Sequence, residues 1–388
     1  MCRAALPVPA RQGSRSSLAG QVDVMRIAVT GLSGNVGSQL LPRLLADPGV
    51  TSVAGLARRT PGPSSPLAAE GVDWHSTDLG AADCADQVRE FVRGADVVVH
   101  LAWRLAPSHD RTTMRRVNVE GTRTVLRAAL DEGVSAFVHA SSVGAYSHGP
   151  ADKGQRVDET WPTGGVPTSP YSRDKAEAER LLDDAEAERP ELRVVRVRPG
   201  LVMQRQAAAE QARYFLGPLV PMSLVRRSLM PVVPDHERFR MQVVHAQDVA
   251  EVFARAAVDD AARGAYNVAD EPVLDSAALG ELLGARPVPV LPAVMRAFVE
   301  TTWRLRLQPT DPGWVDLAFA APLLDTSTVR RELGWVPTHE AGAVLLEALD
   351  GIRDGAGGPS SVLRPLGSPH ERLGEALRTL RPGRSEVD

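Results

Sequence analysis

The sequence predicts an α/β protein: a doubly wound parallel sheet with a smaller, mostly helical C-terminal lobe. Three observations predict it. Short, valine-rich apolar runs recur from Met25 onward, amphipathic stretches of helical length separate them, and a glycine triplet follows the first run. Buried parallel strands read as short, continuous apolar runs. Their alternation with helices, joined by right-handed crossovers, builds a sheet covered on both faces. A (β/α)8 barrel shares the alternation, but the glycine pattern after the first strand disfavours it.

Taken in order, strands are predicted at Arg26–Thr30, Ser52–Ala57, Val72–Thr77, Asp96–Ala102, Ala136–Ser141 and Arg193–Val197. Helices are predicted at Val36–Ala46, Ala82–Val92, Thr112–Glu132 and Tyr171–Glu188. After about residue 200 the regularity breaks. Met241–Val244 reads as a short strand returning to the sheet, followed by a helix at Gln247–Val258. Residues 25–200 plus 241–268 are therefore expected to form the sheet domain, and 201–240 plus 269–354 a substrate-binding lobe. Residues 1–24 have no apolar signal core and read as a disordered extension, or as lying upstream of the true start. Residues 355–388 read as a flexible tail, with a helix at Glu371–Leu380 as its one regular element.

Composition removes several function classes. The net charge is −4 and basic residues form no stripe or tail, so nucleic acid is not an expected partner. No apolar run reaches the roughly 20 residues that span a bilayer. Cys2 and Cys84 are the only cysteines, which excludes a disulfide framework and a cysteine-rich zinc site and fits a cytoplasmic location. No histidine pair has metal-ligand spacing, so no metal is expected. Of 44 basic residues only Lys153 and Lys175 are lysine. In a chain that uses arginine for generic positive charge, a retained lysine points to a need for a compact ammonium.

The run Thr30-Gly31-Leu32-Ser33-Gly34-Asn35-Val36-Gly37 lies between the first strand and first helix. Gly31 allows the tight turn, Gly34 lets backbone approach a pyrophosphate, and Gly37 lets helix and strand pack closely. Ser33, Asn35 and Val36 lie in the same cradle, at a helix N-terminus suited to anions. The pattern reads as a dinucleotide-binding (Rossmann) site. NAD sites place an acid about 20 residues further on; here Arg58 stands 21 residues after Gly37, and arginine accommodates a 2′-phosphate. NADP is expected in preference to NAD, although exposed arginine pairs are common in such a chain. Asp78 and Leu79 end the third strand near an adenine ring. Leu101, Ala102 and Trp103 end the fourth, at the edge where such sheets bind ligands.

Tyr171-Ser172-Arg173-Asp174-Lys175 places tyrosine and lysine at i and i+4, on one helix face. Ser169 caps that helix and Pro170 suits its first position. Four tyrosines and two lysines in 388 residues give about 0.02 such pairs by chance, and pairs at this spacing share a face. Free tyrosine has a pKa near 10, which a neighbouring ammonium lowers. Tyr171 is then a general acid or base toward a carbonyl or alcohol, with Lys175 also within reach of a cofactor ribose. Ser142 ends the fifth strand, 29 residues before Tyr171, where a hydroxyl can hold the substrate oxygen.

Together these motifs resemble the extended short-chain dehydrogenase/reductase family, including its NAD-dependent epimerase/dehydratase group. The resemblance rests on Thr30–Gly37, Asp78-Leu79, His100-Leu101-Ala102, Asn118-Val119-Glu120-Gly121-Thr122, Ser141-Ser142, Tyr171 with Lys175, Arg198-Pro199-Gly200 and Val244–Ala250. It spans about Met25 to Ile352. It implies a Ser142, Tyr171, Lys175 triad, with Asn118 near the cofactor and Pro199 opening a loop by the nicotinamide. A helix-stabilising role suits Asn118 equally, and His245 and Asp248 read as structural. Dehydratases of the group carry Asp-Glu just after the serine position; here Val143-Gly144 stands there, against sugar dehydration. An NAD(P)-dependent oxidoreductase acting on a small molecule, a sugar derivative or another carbonyl/alcohol, is the first expectation. A sugar epimerase that uses NAD transiently and a cofactor-sensing regulator without chemistry are the alternatives. The resemblance is compatible with a homodimer. Trp303, Trp314 and Trp335 are expected in apolar packing.

Overall fold

The computed structural model describes residues 25–105, 110–152, 154–215, 231–308 and 310–365. The expectations for residues 1–24 and for a helix at Glu371–Leu380 lie outside the described residues. The central sheet has seven strands: β1 (Met25–Thr30), β2 (Val50–Ala57), β3 (Val72–Ser76), β4 (Val97–His100), β5 (Ala136–Ala140), β6 (Arg193–Pro199) and β7 (Gly264–Val268). Every pairing is parallel, and the order across the sheet is β7-β6-β5-β4-β1-β2-β3. This is the doubly wound class that the alternation predicts. Winding reverses between β1 and β4, and such sheets take ligands outside the strands' carboxyl ends at that switch point.

Helices α1 (Gly37–Ala46) and α5 (Ala246–Val258) cover one face. Helices α2 (Ala85–Val92), α3 (Gly121–Asp131) and α4 (Pro170–Glu188) cover the other. The continuous helix expected over Thr112–Glu132 is instead a short helix, Arg111–Arg115, a π-turn, Arg116–Glu120, and then α3. Such π-turns often mark functional positions, and this one carries Asn118.

Two further expectations change. Val243–His245 does not rejoin the central sheet; it pairs with Leu201–Met203 in a separate two-stranded sheet. The seventh strand is β7, whose short Ala265-Tyr266-Asn267-Val268 run carries little periodic signal. The C-terminal region is mostly helical, over Ser276–Leu283, Pro292–Arg304, Gly313–Ala320, Ser327–Leu333 and Ala341–Arg353. Trp335 is fully buried against the α5 face, and its Nε1–H donates to the Asp248 carbonyl at 2.9 Å. Within 355–365, Leu363 is buried and Ser65 Oγ donates to the Pro359 carbonyl at 3.2 Å. Among the described residues no helix is long and apolar enough to cross a membrane.

Candidate active site

The predicted site residues line the carboxyl edge of the sheet. Across it they run Pro199 after β6, Ser142 after β5, Leu101 and Ala102 after β4, Gly31 after β1, Arg58 after β2 and Asp78 after β3. The glycine loop is shaped by its own neighbours. Gly31 has φ +72°, and a Cβ there would lie 2.7 Å from the Ala102 nitrogen, so only glycine lets the β1 and β4 ends approach. A Cβ on Gly37 would lie 2.5 Å from the Gly31 and Leu32 carbonyls. At α1 the cap position, Val36, makes no side-chain hydrogen bond. The first turn's Ser38 and Gln39 amides bond backbone carbonyls, which leaves the dipole and the Val36 and Gly37 amides for an anion, and the cradle fits a dinucleotide pyrophosphate.

Ser33 is buried, and Asn35 faces the segment after β6. Gln204 Nε2 donates to both the Asn35 carbonyl and its Oδ1 at 2.8 Å, and Gln39 Nε2 donates to Gln204 Oε1 at 2.7 Å. Arg58 is exposed at the end of β2, where its carbonyl accepts from Ser76 Oγ at 3.0 Å. Asp78 accepts the Gly80 N–H at 2.9 Å, and Leu79 is buried beside α3. Pro199 is buried at the end of β6.

At α4, Ser169 Oγ accepts the Ser172 N–H at 3.4 Å, Pro170 takes the first turn, and the helix starts where predicted. Ser172 Oγ donates to the Gly144 carbonyl at 2.5 Å and accepts the Val166 N–H at 2.6 Å, binding α4 to the loop after β5. That loop presents Ser142, whose Oγ accepts the Gly144 N–H at 3.0 Å, beside the Tyr171 phenol. Ser141 turns elsewhere, to Glu179. A Cβ on Gly144 would lie 2.7 Å from the Tyr171 ring, so glycine here admits the phenol.

Burial pushes Tyr171 up to about 12, with the neighbouring Ser142 hydroxyl lowering it only in part. The sequence argument expected the Lys175 ammonium to lower it. The difference has a structural cause. Trp314 stacks on the phenol at 4.8 Å and Trp103 meets it edge-on at 6.2 Å, so it is desolvated. Lys175 Nζ lies 5.9 Å from the phenol centroid, donates to the Ala140 carbonyl at 2.7 Å, and sits 3.4 Å from the Trp103 ring centroid. Burial holds Lys175 well below the usual lysine range, against Glu179 and Asp174, which favour its charge. A desolvated cation–π contact contributes about 2 kcal/mol. The Trp103 Nε1–H, however, is buried with no partner, which costs about 1–3 kcal/mol. The two effects are of similar size.

Asn118 grips the loop that carries Trp103. Its Oδ1 accepts the Arg104 N–H at 2.7 Å and its Nδ2 donates to the Arg104 carbonyl at 3.1 Å. On the other side, Thr30 Oγ1 accepts the Ala102 N–H at 3.2 Å. Thr122 Oγ1 donates to the Asn118 carbonyl, so it accepts from His100 Nε2; His100 Nδ1 then accepts from Thr30 Oγ1 at 2.7 Å. Burial, with Lys175 nearby, pushes His100 down to about 3, which keeps it neutral in this chain of bonds.

A model of the NAD dependent epimerase/dehydratase family matches residues 27–269. The chain belongs to that family. An uncharacterised protein of Mycobacterium tuberculosis is 29% identical over 320 residues, 82% of this chain and 29% of that protein. The 4-hydroxy-2-methyl-3-oxo-4-farnesyl-3,4-dihydroquinoline-1-oxide ketoreductase of Stigmatella aurantiaca is 34% identical over 180 residues, 46% of this chain and 50% of that enzyme. The match thus spans under a third of the first relative and half of the second. Among solved structures, the UDP-glucose 4-epimerase of Thermus thermophilus in complex with NAD is similar with a TM-score of 0.61 and 25% identity, covering 85% of this chain and 99% of that one. The fold is thus that of NAD-binding epimerases, and the family comprises NAD-dependent enzymes.

Trp103, expected at the strand edge, and Trp314, expected in apolar packing, both meet the phenol; sequence reasoning missed Gln204 and Glu179, which also shape this family member's site. One had a legible signal. Arg196 and Arg198 alternate along an otherwise valine-rich buried strand, and buried cations require a buried acid. Glu179, one turn beyond Lys175, is that acid. A groove of about 330 Å³ along the first turns of α4, with Arg111, Arg115 and Arg173 in its wall, includes none of the predicted triad.

Proposed function

We propose that this family member is an NADP-preferring oxidoreductase that transfers hydride at a carbonyl/alcohol carbon of a small molecule, with Tyr171 as general acid–base. The observation that carries the reading is the packing of the Tyr171 ring against the Ser142-Val143-Gly144 turn at the end of β5, with Lys175 one turn along the same helix. A bound nicotinamide supplies the hydride. The chain's own residues handle the oxygen. Ser142 Oγ donates to it, and Tyr171, held protonated at neutral pH by its burial, gives up its proton as negative charge develops there. A protonated phenol is the form that carbonyl reduction requires. Arg58, in place of an acid after β2, supports the NADP preference. Ser33, Gly34, Asn35, Val36, Leu101, Ala102, Asn118 and Pro199 are proposed to line the cofactor.

Oxidation of NADPH across a carbonyl panel tests the reading. Tyr171→Phe is expected to lower kcat at least about 100-fold, with the calorimetric Kd for NADPH within about twofold. Turnover near wild type in that variant would overturn the mechanism. Arg58→Asp is expected to shift the NADPH:NADH ratio of kcat/KM toward NADH by about tenfold, and an unchanged ratio removes Arg58 from the cofactor site.

A further inference from the structure

We propose that Trp103 is a displaceable plug on Lys175: its indole covers the face of the ammonium that a cofactor's ribose hydroxyls need, and dinucleotide binding swings it aside. The inference rests on the cofactor reading above.

Four observations carry it. The Trp103 ring centroid lies 3.4 Å from Nζ, so the ring occupies that face of the ammonium. Lys175 spends one N–H on the Ala140 carbonyl, and its remaining protons face the ring rather than an oxygen acceptor. An ammonium has three donors and hydrogen-bonds hydroxyl oxygens better than it binds a π-face. The indole Nε1–H is buried without a partner, so the ring loses a hydrogen bond by staying where it is. Finally, the backbone around Trp103 is fixed on both sides, Ala102 to Thr30 and Arg104 to Asn118. The side chain itself is only half-buried. The movable part is therefore the side chain alone, and it has an open side to leave by.

The plug also accounts for the two catalytic groups. With the indole over the ammonium, Lys175 is aimed at the β5 carbonyl and lies 5.9 Å from the phenol centroid. With it removed, the ammonium is free to turn toward ribose oxygens and toward Tyr171.

Calorimetry with NADP⁺ on the full chain tests this. Trp103→Ala is expected to bind about five- to tenfold tighter than wild type, because the cofactor no longer displaces a cation–π partner. Trp103→Phe, which keeps a ring over the ammonium, is expected to stay within about threefold of wild type. In a Lys175→Met background the gain from Trp103→Ala is expected to vanish, as a double-mutant cycle requires of coupled groups. An unchanged or weaker Kd in a Trp103→Ala protein that melts cooperatively overturns the plug, as does a gain that persists without Lys175. Either result leaves the cofactor reading standing. Absence of binding by wild type and variants alike overturns both.

Discussion

The two faces of the central sheet are built on different principles. The face under α1 and α5 is apolar: Ile27, Val29, Val97, Val99, Val138, Val195 and Val197 meet Leu40, Leu44, Val249 and Phe253, all fully buried. The face under α2, α3 and α4 begins the same way, with Ala54, Val98, Phe137 and Val194. Toward the carboxyl edge it turns polar. Arg198 donates twice to Glu179 at 2.9 Å, Arg196 Nε reaches the same carboxylate at 3.1 Å, and Ser141 Oγ donates to it at 2.5 Å. Arg198 also donates to Tyr146 Oη at 3.0 Å, and that hydroxyl donates to Asn267 at 2.7 Å. His139 stacks on His100 at 5.5 Å with neither ring nitrogen bonded. One face supplies stability through area. The other spends buried polarity on holding α4, and with it Tyr171 and Lys175, in one register over Ser142.

That contrast breaks first at Glu179. Replacing it with alanine leaves Arg198 buried without its carboxylate partner, while Arg196 keeps Asp183 and Glu186, and an uncompensated buried charge costs about 3–5 kcal/mol. Val197→Ala, on the neighbouring residue but the opposite face, removes only packing and costs about 1–3 kcal/mol. Urea unfolding of both variants checks the order. If Val197→Ala is the more damaging, the polar face is not held by charge compensation. The cluster also sets an acid limit. Burial raises the Glu179 pKa, but Arg198, Ser141 and Arg196 outweigh it, and the net shift is downward. Its stabilisation is therefore present above the ordinary glutamate range and lost as pH falls through the depressed value.

The same contrast explains what the sequence revealed. The apolar face was legible because valine-rich strands and amphipathic helices carry their period in the chain: the first six strands were located to within a few residues. β7 escaped because Tyr266 and Asn267 interrupt a run of only five residues. At the site, the motif residues Gly31, Gly37, Ser142 and Tyr171 were legible because turn geometry and helix spacing constrain them locally. The aromatic surroundings were not. Trp103 lies on an irregular loop and Trp314 comes from a helix more than 140 residues beyond Tyr171, so only tertiary structure brings either ring to the phenol. Their effect reverses the expected direction of the Tyr171 shift, which neighbour charge alone could not have indicated.

A buried carboxyl just beyond β7 gives the smallest and most diagnostic effect. Asp270 follows β7 and is fully buried; its Oδ2 accepts the His245 N–H at 3.2 Å while Oδ1 has no partner. Burial, then the nearby Asp248 carboxylate, pushes it up to about 7, with Arg330 opposing. Because this folded value lies above the unfolded one, near 3.9, the native state keeps a proton that the unfolded chain has released. Stability contributed by Asp270 is therefore complete below about pH 4 and declines as pH rises toward about 7, opposite in sign to Glu179. Asp270→Asn holds the neutral form throughout. Thermal melting from pH 5 to 8 is expected to show a decline in wild type that flattens in this variant, with the two curves converging at the acid end. Parallel curves would show that Asp270 does not carry that proton, and that the penalty for its unpartnered oxygen is met in some other way.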